Sequence, residues 1–317
     1  NVPIGIFIVI AGHYVLGAAE GQRVPLDIWG AILATLGSTA LVLGLTSAGK
    51  GASNPVFIVA MLVGIASLGA FFITQKHTEN GVLPLSLFTR RDRVFTFIAI
   101  FLLGAIMTTV AVFVALYVQT ILKYTTLRAG LAFIPFAFAL ALGAATASKI
   151  SMKWAPRWII LAGCIFMVIG FGWGTAISEE STFWADIFPP TLIIGYGVGL
   201  VSIALTLSAV AGVKPIDVGP LTAISLVAQT LGGPIGLAFA GALAQSYTRH
   251  HGGADIPVTE MNSVQLHALG EGYLLTLFVC LGLAVVMGIL SALFILSLIH
   301  ISEPTRTLYI SYAVFCL

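Results

Sequence analysis

Residues 95–122 read FTFIAIFLLGAIMTTVAVFVALYVQTIL, a run of 28 residues without one charged side chain. About 20 apolar residues are enough to cross a bilayer as a helix. In lipid only α-helices and closed barrels satisfy their own backbone groups. Barrel strands alternate apolar and polar residues over short segments, whereas this run is continuous, so it reads as a helix. Eight further runs of the same kind lie at 4–19, 27–45, 55–74, 128–148, 158–178, 187–211, 218–245 and 273–297. The fold class that follows is an all-α polytopic membrane protein with about nine transmembrane helices.

The composition agrees with that reading. Apolar residues make up 59% of the chain and charged residues 8%, against roughly 25% charged in soluble domains. The net charge of +2 comes without a basic block, so nucleic acid is not an expected partner. Cys164 and Cys280 sit inside apolar runs as packing residues, and no disulfide framework follows. The chain opens at Asn1 in an apolar run, with neither an initiator Met nor a signal peptide, so a fragment is expected. Residues 298–317 continue no helical pattern. They resemble a translated sequencing-adapter scar and are expected to be a non-native tail.

Lys and Arg accumulate in cytoplasmic loops. When the loops are assigned alternately to two sides, one side holds Arg23, Lys76, Arg90, Arg91, Arg93, Lys149, Lys153, Arg157 and Lys214. The other holds Lys50, Lys123, Arg128 and Arg249, so the first side is read as cytoplasmic.

Glycine is placed at helical spacing: Gly30, Gly37 and Gly44 every seven residues, Gly195, Gly197 and Gly199 in a cluster, and Gly232 and Gly236 followed by Ala240 every four. Small residues so spaced let helices approach closely in lipid, and they also suit contacts that slide. Pro135 and Pro234 lie inside spans, where a missing N–H bends a helix. No Asp, Glu, Lys or Arg lies deep in a span, and the histidines at 250, 251 and 267 are read as solvated loop residues. The polar groups within spans are uncharged: Thr108, Thr109, Tyr117 and Gln119, then Ser202, Thr206 and Ser208, then Thr222, Ser225, Gln229 and Thr230. Hydroxyls can bond their own backbone, but a primary amide such as Gln229 needs several partners.

Several short stretches then fall into a familiar order. They are Asn1 to Gly5, Asp27 to Gly44, Pro84-Leu85-Ser86-Leu87-Phe88 followed by Arg90, Leu116-Tyr117-Val118-Gln119, Arg128 to Pro135, and Leu231-Gly232-Gly233 with Gly236. In that order and spacing they resemble the later part of a fourteen-helix drug:proton antiporter of the EmrB/QacA type, in the major facilitator superfamily. The resemblance covers about residues 1–297. It implies that 1–19 is the last helix of a first lobe, 20–94 two linker helices and a cytoplasmic loop, and 95–297 a six-helix second lobe. It also implies a secondary active exporter of amphipathic compounds, with lobes rocking about a midplane cavity. By analogy with that fold, the fourth, fifth, seventh and eighth spans line the cavity. That would place Thr108, Thr109, Tyr117, Gln119, Ser202, Thr206, Gln229 and Thr230 there.

Implied partners are the lipid bilayer, small amphipathic substrates, the N-terminal half of the same transporter, and protons bound by residues outside this stretch. No cofactor or metal is implied, and the location is the cell membrane. The sequence departs from the pattern at the cytoplasmic loop 148–157. Lys149, Lys153, Pro156 and Arg157 echo the family, but Ser148, Met152 and Ala155 replace its usual Gly, Asp and Gly. Gln229 stands where many relatives carry Arg. An importer or facilitator of the same superfamily, and a membrane-embedded transferase, stay as alternatives. The second needs a nucleophile, base or metal cluster that no spacing here supplies.

Overall fold

Helix boundaries follow from local chemistry at the ends of the apolar runs. The computed structural model describes residues 5–7, 10–12, 27–47, 54–78, 90–176, 183–213, 215–253 and 258–295. Helix α1 spans Ile28–Ser47 and α2 spans Pro55–His77, the latter begun by Pro55 in its first turn and by the Asn54 side chain accepting from Val56 N at 2.9 Å. The long α3, Arg91–Thr120, contains the run that decided the fold. Then come α4, Thr126–Ala132, and α5, Ile134–Ile150, nearly continuous but broken at Phe133. Pro135, which has no N–H to donate back, stands in the first turn of α5 and accounts for the break. Helix α6 spans Pro156–Gly174. A π-helical turn, Phe183–Ile187, leads into α7, Phe188–Ala209. The last two helices are α8, Pro215–His250, and α9, Ser263–Phe294.

Among the described residues, seven helices are long and apolar enough to cross a membrane, and Ile28–Gly44 is a shorter apolar one. The architecture is all-helical, and the chain is a multi-pass membrane protein. The expected span 4–19, with its His13, falls outside the described residues except for two helical pieces at 5–7 and 10–12. The tail at 298–317 lies outside them as well.

One boundary needs correcting. The last helix starts at Ser263, ten residues before the expected 273. Asn262 and Gln265 form a reciprocal capping box there, at 2.9 and 3.0 Å. His267 and Glu271 dilute the hydropathy of this first stretch without breaking the helix. His267 is therefore a helical residue, not a loop one, and its Nε2 lies 3.4 Å from Glu271 Oε1. His250 likewise closes the last turn of α8.

Packing is organised by glycine. Helices α5 and α6 both lie against α7, α3 lies against α8, α9 touches α3, α6 and α8, and α1 pairs with α2. In the α3·α8 pair, a Cβ at Gly104 would land on the Gln229 carbonyl, one at Gly232 on the Phe101 carbonyl, and one at Gly236 on Ala105. The α5·α7 pair repeats the arrangement, with Gly143 over the Tyr196 carbonyl and Gly199 over that of Leu140. Between α6 and α7, Gly163 and Gly197 face each other's carbonyls, with 2.6–2.7 Å left for a Cβ. Backbones this close gain dispersion contact, the main source of helix attraction in lipid. The core they enclose includes Ile106, Met167, Val201, Leu205, Cys280 and Met287.

Candidate functional site

The polar residues read from the sequence occupy three different environments. Thr108 and Gln229 both lie along the α3·α8 seam. The Thr108 hydroxyl lies beside Gly233, and Gln229 Nε2 points at Met107 Sδ at 3.9 Å. Gln229 is half-buried and its backbone carbonyl is the one that Gly104 admits. This nook in the α3·α8 seam is where the structure brings predicted residues from two helices together.

The hydroxyls of α7 and α8 turn back on their own helices. Ser202 Oγ donates to Val198 O at 2.8 Å, Thr206 Oγ1 to Ser202 O at 2.8 Å, and Thr230 Oγ1 to Leu226 O at 2.7 Å. Ser208, Thr222 and Ser225 do the same. Each hydroxyl is thereby satisfied one turn back. Thr206 and Thr230 nonetheless remain exposed on the flanks of their helices.

The remaining α3 residues diverge. Thr109 is fully buried, and its Oγ1 has no partner. Tyr117 is buried and sits about 14 Å further along the helix axis from Thr108. Gln119 is exposed. Because the Thr109 hydroxyl bonds to nothing, Thr109→Val is expected to leave stability unchanged or to raise it by about 1 kcal/mol. Thermal unfolding of the purified protein checks this, and a loss of stability would reveal a partner for the hydroxyl.

Of the small and kinking residues, Gly30, Gly37 and Gly44 lie on the α2-facing side of α1, next to Gln75, Leu68 and Met61 in turn. Gly195 faces the Phe136 carbonyl at 2.7 Å for a Cβ, and Gly199, Gly232 and Gly236 sit in the seams already described. Around the turn between α5 and α6, Lys149 at the end of α5 and Lys153 are exposed, and at the start of α6 the Arg157 guanidinium lies 4.9 Å from the Trp158 ring centroid.

Two polar clusters escaped the sequence reading. Arg93 is buried (7% exposed) near the start of α3, in a cleft with Arg90, Asp92, Thr96 and Ser208. It lay just outside the apolar run and was assigned to a loop. On the opposite side, Tyr247 of α8 donates to Glu271 of α9 at 3.2 Å, and His251 stacks on Tyr247 with centroids 3.9 Å apart. The four-residue spacing of His267 and Glu271 was the available signal. Among the described residues, no group of three His, Cys, Asp or Glu side chains is placed to hold a metal ion.

No protein-family model matches the chain. It does resemble known transporters. The MFS-type transporter EfpA of Mycobacterium tuberculosis is 38% identical over 290 residues, covering 91% of this chain and 55% of that protein. The cephamycin export protein CmcT of Amycolatopsis lactamdurans is 31% identical, covering 75% of this chain and 50% of its own length. The multidrug export protein EmrB of Haemophilus influenzae is 27% identical, over 74% of this chain and 47% of that protein. The chain spans about half the length of the curated relatives it matches. With its glycine-sealed, all-helical architecture and these relatives, the chain belongs to the major facilitator superfamily.

Proposed function

We propose that this chain supplies the linker helices and second lobe of a secondary active exporter of amphipathic compounds. The observation that carries the proposal is the likeness, over most of the chain, to relatives named for export. The helical arrangement supports it. Helices α3 and α8 form one seam and α5 and α7 another, leaving the polar flanks of α7 and α8, with Thr206 and Thr230, uncovered by the lobe itself. Apolar walls carrying a few hydroxyls and one amide tolerate many ligands. In this proposal Gln229 and Thr108 sit at the cavity edge as adaptable polar contacts, and the packed glycines let the lobe move as a body.

Proton coupling belongs to the same proposal, through residues of a first lobe. Among the described residues Asp27, Asp92, Asp186 and Glu260 lie near helix ends or in connecting segments, and Glu271 lies in the third turn of α9.

The test is to express the complete reading frame that encodes this stretch in a bacterial strain stripped of its own efflux pumps. Ethidium accumulation is expected to fall, and a protonophore to restore it. Accumulation unchanged for every amphipathic compound tried would overturn the proposal. Within the active protein, Gln229→Ala is expected to alter the ranking of substrates. Compounds that hydrogen-bond to the amide should lose about fivefold in apparent affinity, and purely apolar ones should not. Identical resistance profiles at equal expression would remove Gln229 from the cavity.

A further inference from the structure

The turn joining α5 to α6 carries an unusual surface. Over residues 148–158 the sequence is SKISMKWAPRW, with three cations and no acid. Met152, Trp154 and Trp158 are exposed at 56%, 61% and 48%. Lys149 and Lys153 are exposed beside them, and Arg157 is half-buried against Trp158.

Neither lysine nor Arg157 has an ion-pair partner among the described residues, and Arg157 Nε is buried without an acceptor. Among the described residues this charge is uncompensated, while its frame is held firmly. Ser151 N donates to Ala147 O at 2.8 Å, Lys153 N and Trp154 N both donate to Ile150 O at 2.8 and 2.9 Å, and Ser151 Oγ donates to Ser148 O at 2.8 Å. Pro156 then fixes the first turn of α6, and Ala155 is buried beneath the turn. The result is a short, preorganised platform with Lys149, Lys153 and the amphipathic rings facing outward and Arg157 half-buried beside them.

Trp prefers the headgroup level of a bilayer, where its ring is apolar and its N–H is wet. Lys and Arg just outside the cytoplasmic ends of helices attract anionic lipid. We infer that the α5–α6 turn is a docking site for anionic phospholipid headgroups of the cytoplasmic leaflet. Lys149, Lys153 and Arg157 engage the phosphate and its neighbours. Trp154, Trp158 and Met152 seat in the glycerol and upper acyl region. Charge complementarity selects this occupant, because a zwitterionic headgroup would leave three positive charges unanswered. The inference rests on the membrane orientation of the helices and not on the export proposal, so each can fail alone.

The experiment places the full-length protein in nanodiscs of phosphatidylcholine with increasing phosphatidylglycerol. Retained lipid is then counted by native mass spectrometry. The unmodified protein is expected to retain phosphatidylglycerol preferentially. That preference should shrink when salt is raised from about 0.1 M to about 1 M, where the screening length falls from about 10 Å to about 3 Å. In the triple variant Lys149→Gln, Lys153→Gln, Arg157→Gln it should fall by about fivefold for each cation removed.

A second measurement does not depend on that variant folding. With every other tryptophan of the full-length protein replaced by Phe, Trp29, Trp173 and Trp184 of this stretch among them, the remaining emission comes from Trp154 and Trp158. Brominated phosphatidylglycerol should then quench it more than brominated phosphatidylcholine at the same mole fraction. Equal quenching by the two lipids, no preference in the unmodified protein, or a preference untouched by the triple substitution would each overturn the inference.

Discussion

Gly232→Leu is expected to destabilise the protein by more than about 3 kcal/mol and to abolish well-folded material, because the α3·α8 pair has no room for any side chain there. A Cβ at residue 232 would fall on the carbonyl oxygen of Phe101, which is backbone and cannot swing aside. One turn later Gly236 presents the same problem against Ala105, and across the seam Gly104 does so against the Gln229 carbonyl. Relief would require α3 and α8 to separate along their contact. In lipid no hydrophobic force would compensate, because the acyl chains are as apolar as the leucine. Even one methylene forced into a packed interior costs about 1–3 kcal/mol, a large share of a net stability of about 5–15 kcal/mol.

The matched control is Gly282→Leu on α9, where an added Cβ would meet nothing within 4 Å. That variant should be neutral or slightly favoured by up to about 1 kcal/mol of helix propensity. Size-exclusion profiles and thermal unfolding of the two purified variants decide the matter. A Gly232→Leu protein that melts like its parent would show that the seam is looser than described.

The seams also mark where the sequence was legible and where it was not. Hydropathy placed α3, α6 and α7 to within a few residues, because their apolar runs are uninterrupted. It misplaced the start of α9. There His267 and Glu271 lowered the local average, and the capping box at Asn262 and Gln265, a purely local signal, was the better guide. The spacing of Gly232 and Gly236 announced close packing but not the partner, because a glycine has no side chain to signal what it faces. That Phe101 and Ala105 of α3 fill the space is a tertiary fact.

The polar residues were the least readable. The sequence lists Thr108 and Thr109 as neighbours, yet a 100° rotation along the helix puts one at the seam with Gln229 and the other in a dry core with no partner. Arg93 was counted with a cytoplasmic loop, because nothing local showed that α3 begins at Arg91 and carries that charge into the bundle.

A second large effect is expected at Asp27, where one carboxylate serves two helices. Asp27 Oδ1 accepts from Gly30 N at 2.8 Å and caps the start of α1. Its other oxygen accepts from Gln75 Nε2 at 2.5 Å, in the last turn of α2. Gln75 is buried, with 4% exposure, and Gly30 is the residue whose missing Cβ makes space for this meeting. Asp27→Ala removes a cap worth about 0.5–2 kcal/mol and a charge-assisted bond worth about 1.5–3 kcal/mol. The combined loss is expected to be about 2–5 kcal/mol.

Asp27→Asn keeps the cap and weakens the second bond, so it should fall between Asp27→Ala and the parent. The decisive measurement is a double-mutant cycle with Gln75→Leu, read by thermal unfolding. If the carboxylate and the amide act as one clasp, the two losses should fall short of additivity by about 1.5–3 kcal/mol. Simple additivity would mean that Asp27 matters only as a helix cap. The distinction reaches beyond the linker. Helix α1 also packs on α8, which carries Gln229 and Gly232, so a clasp that sets the α1·α2 angle sets one wall of the seam on which the second lobe depends.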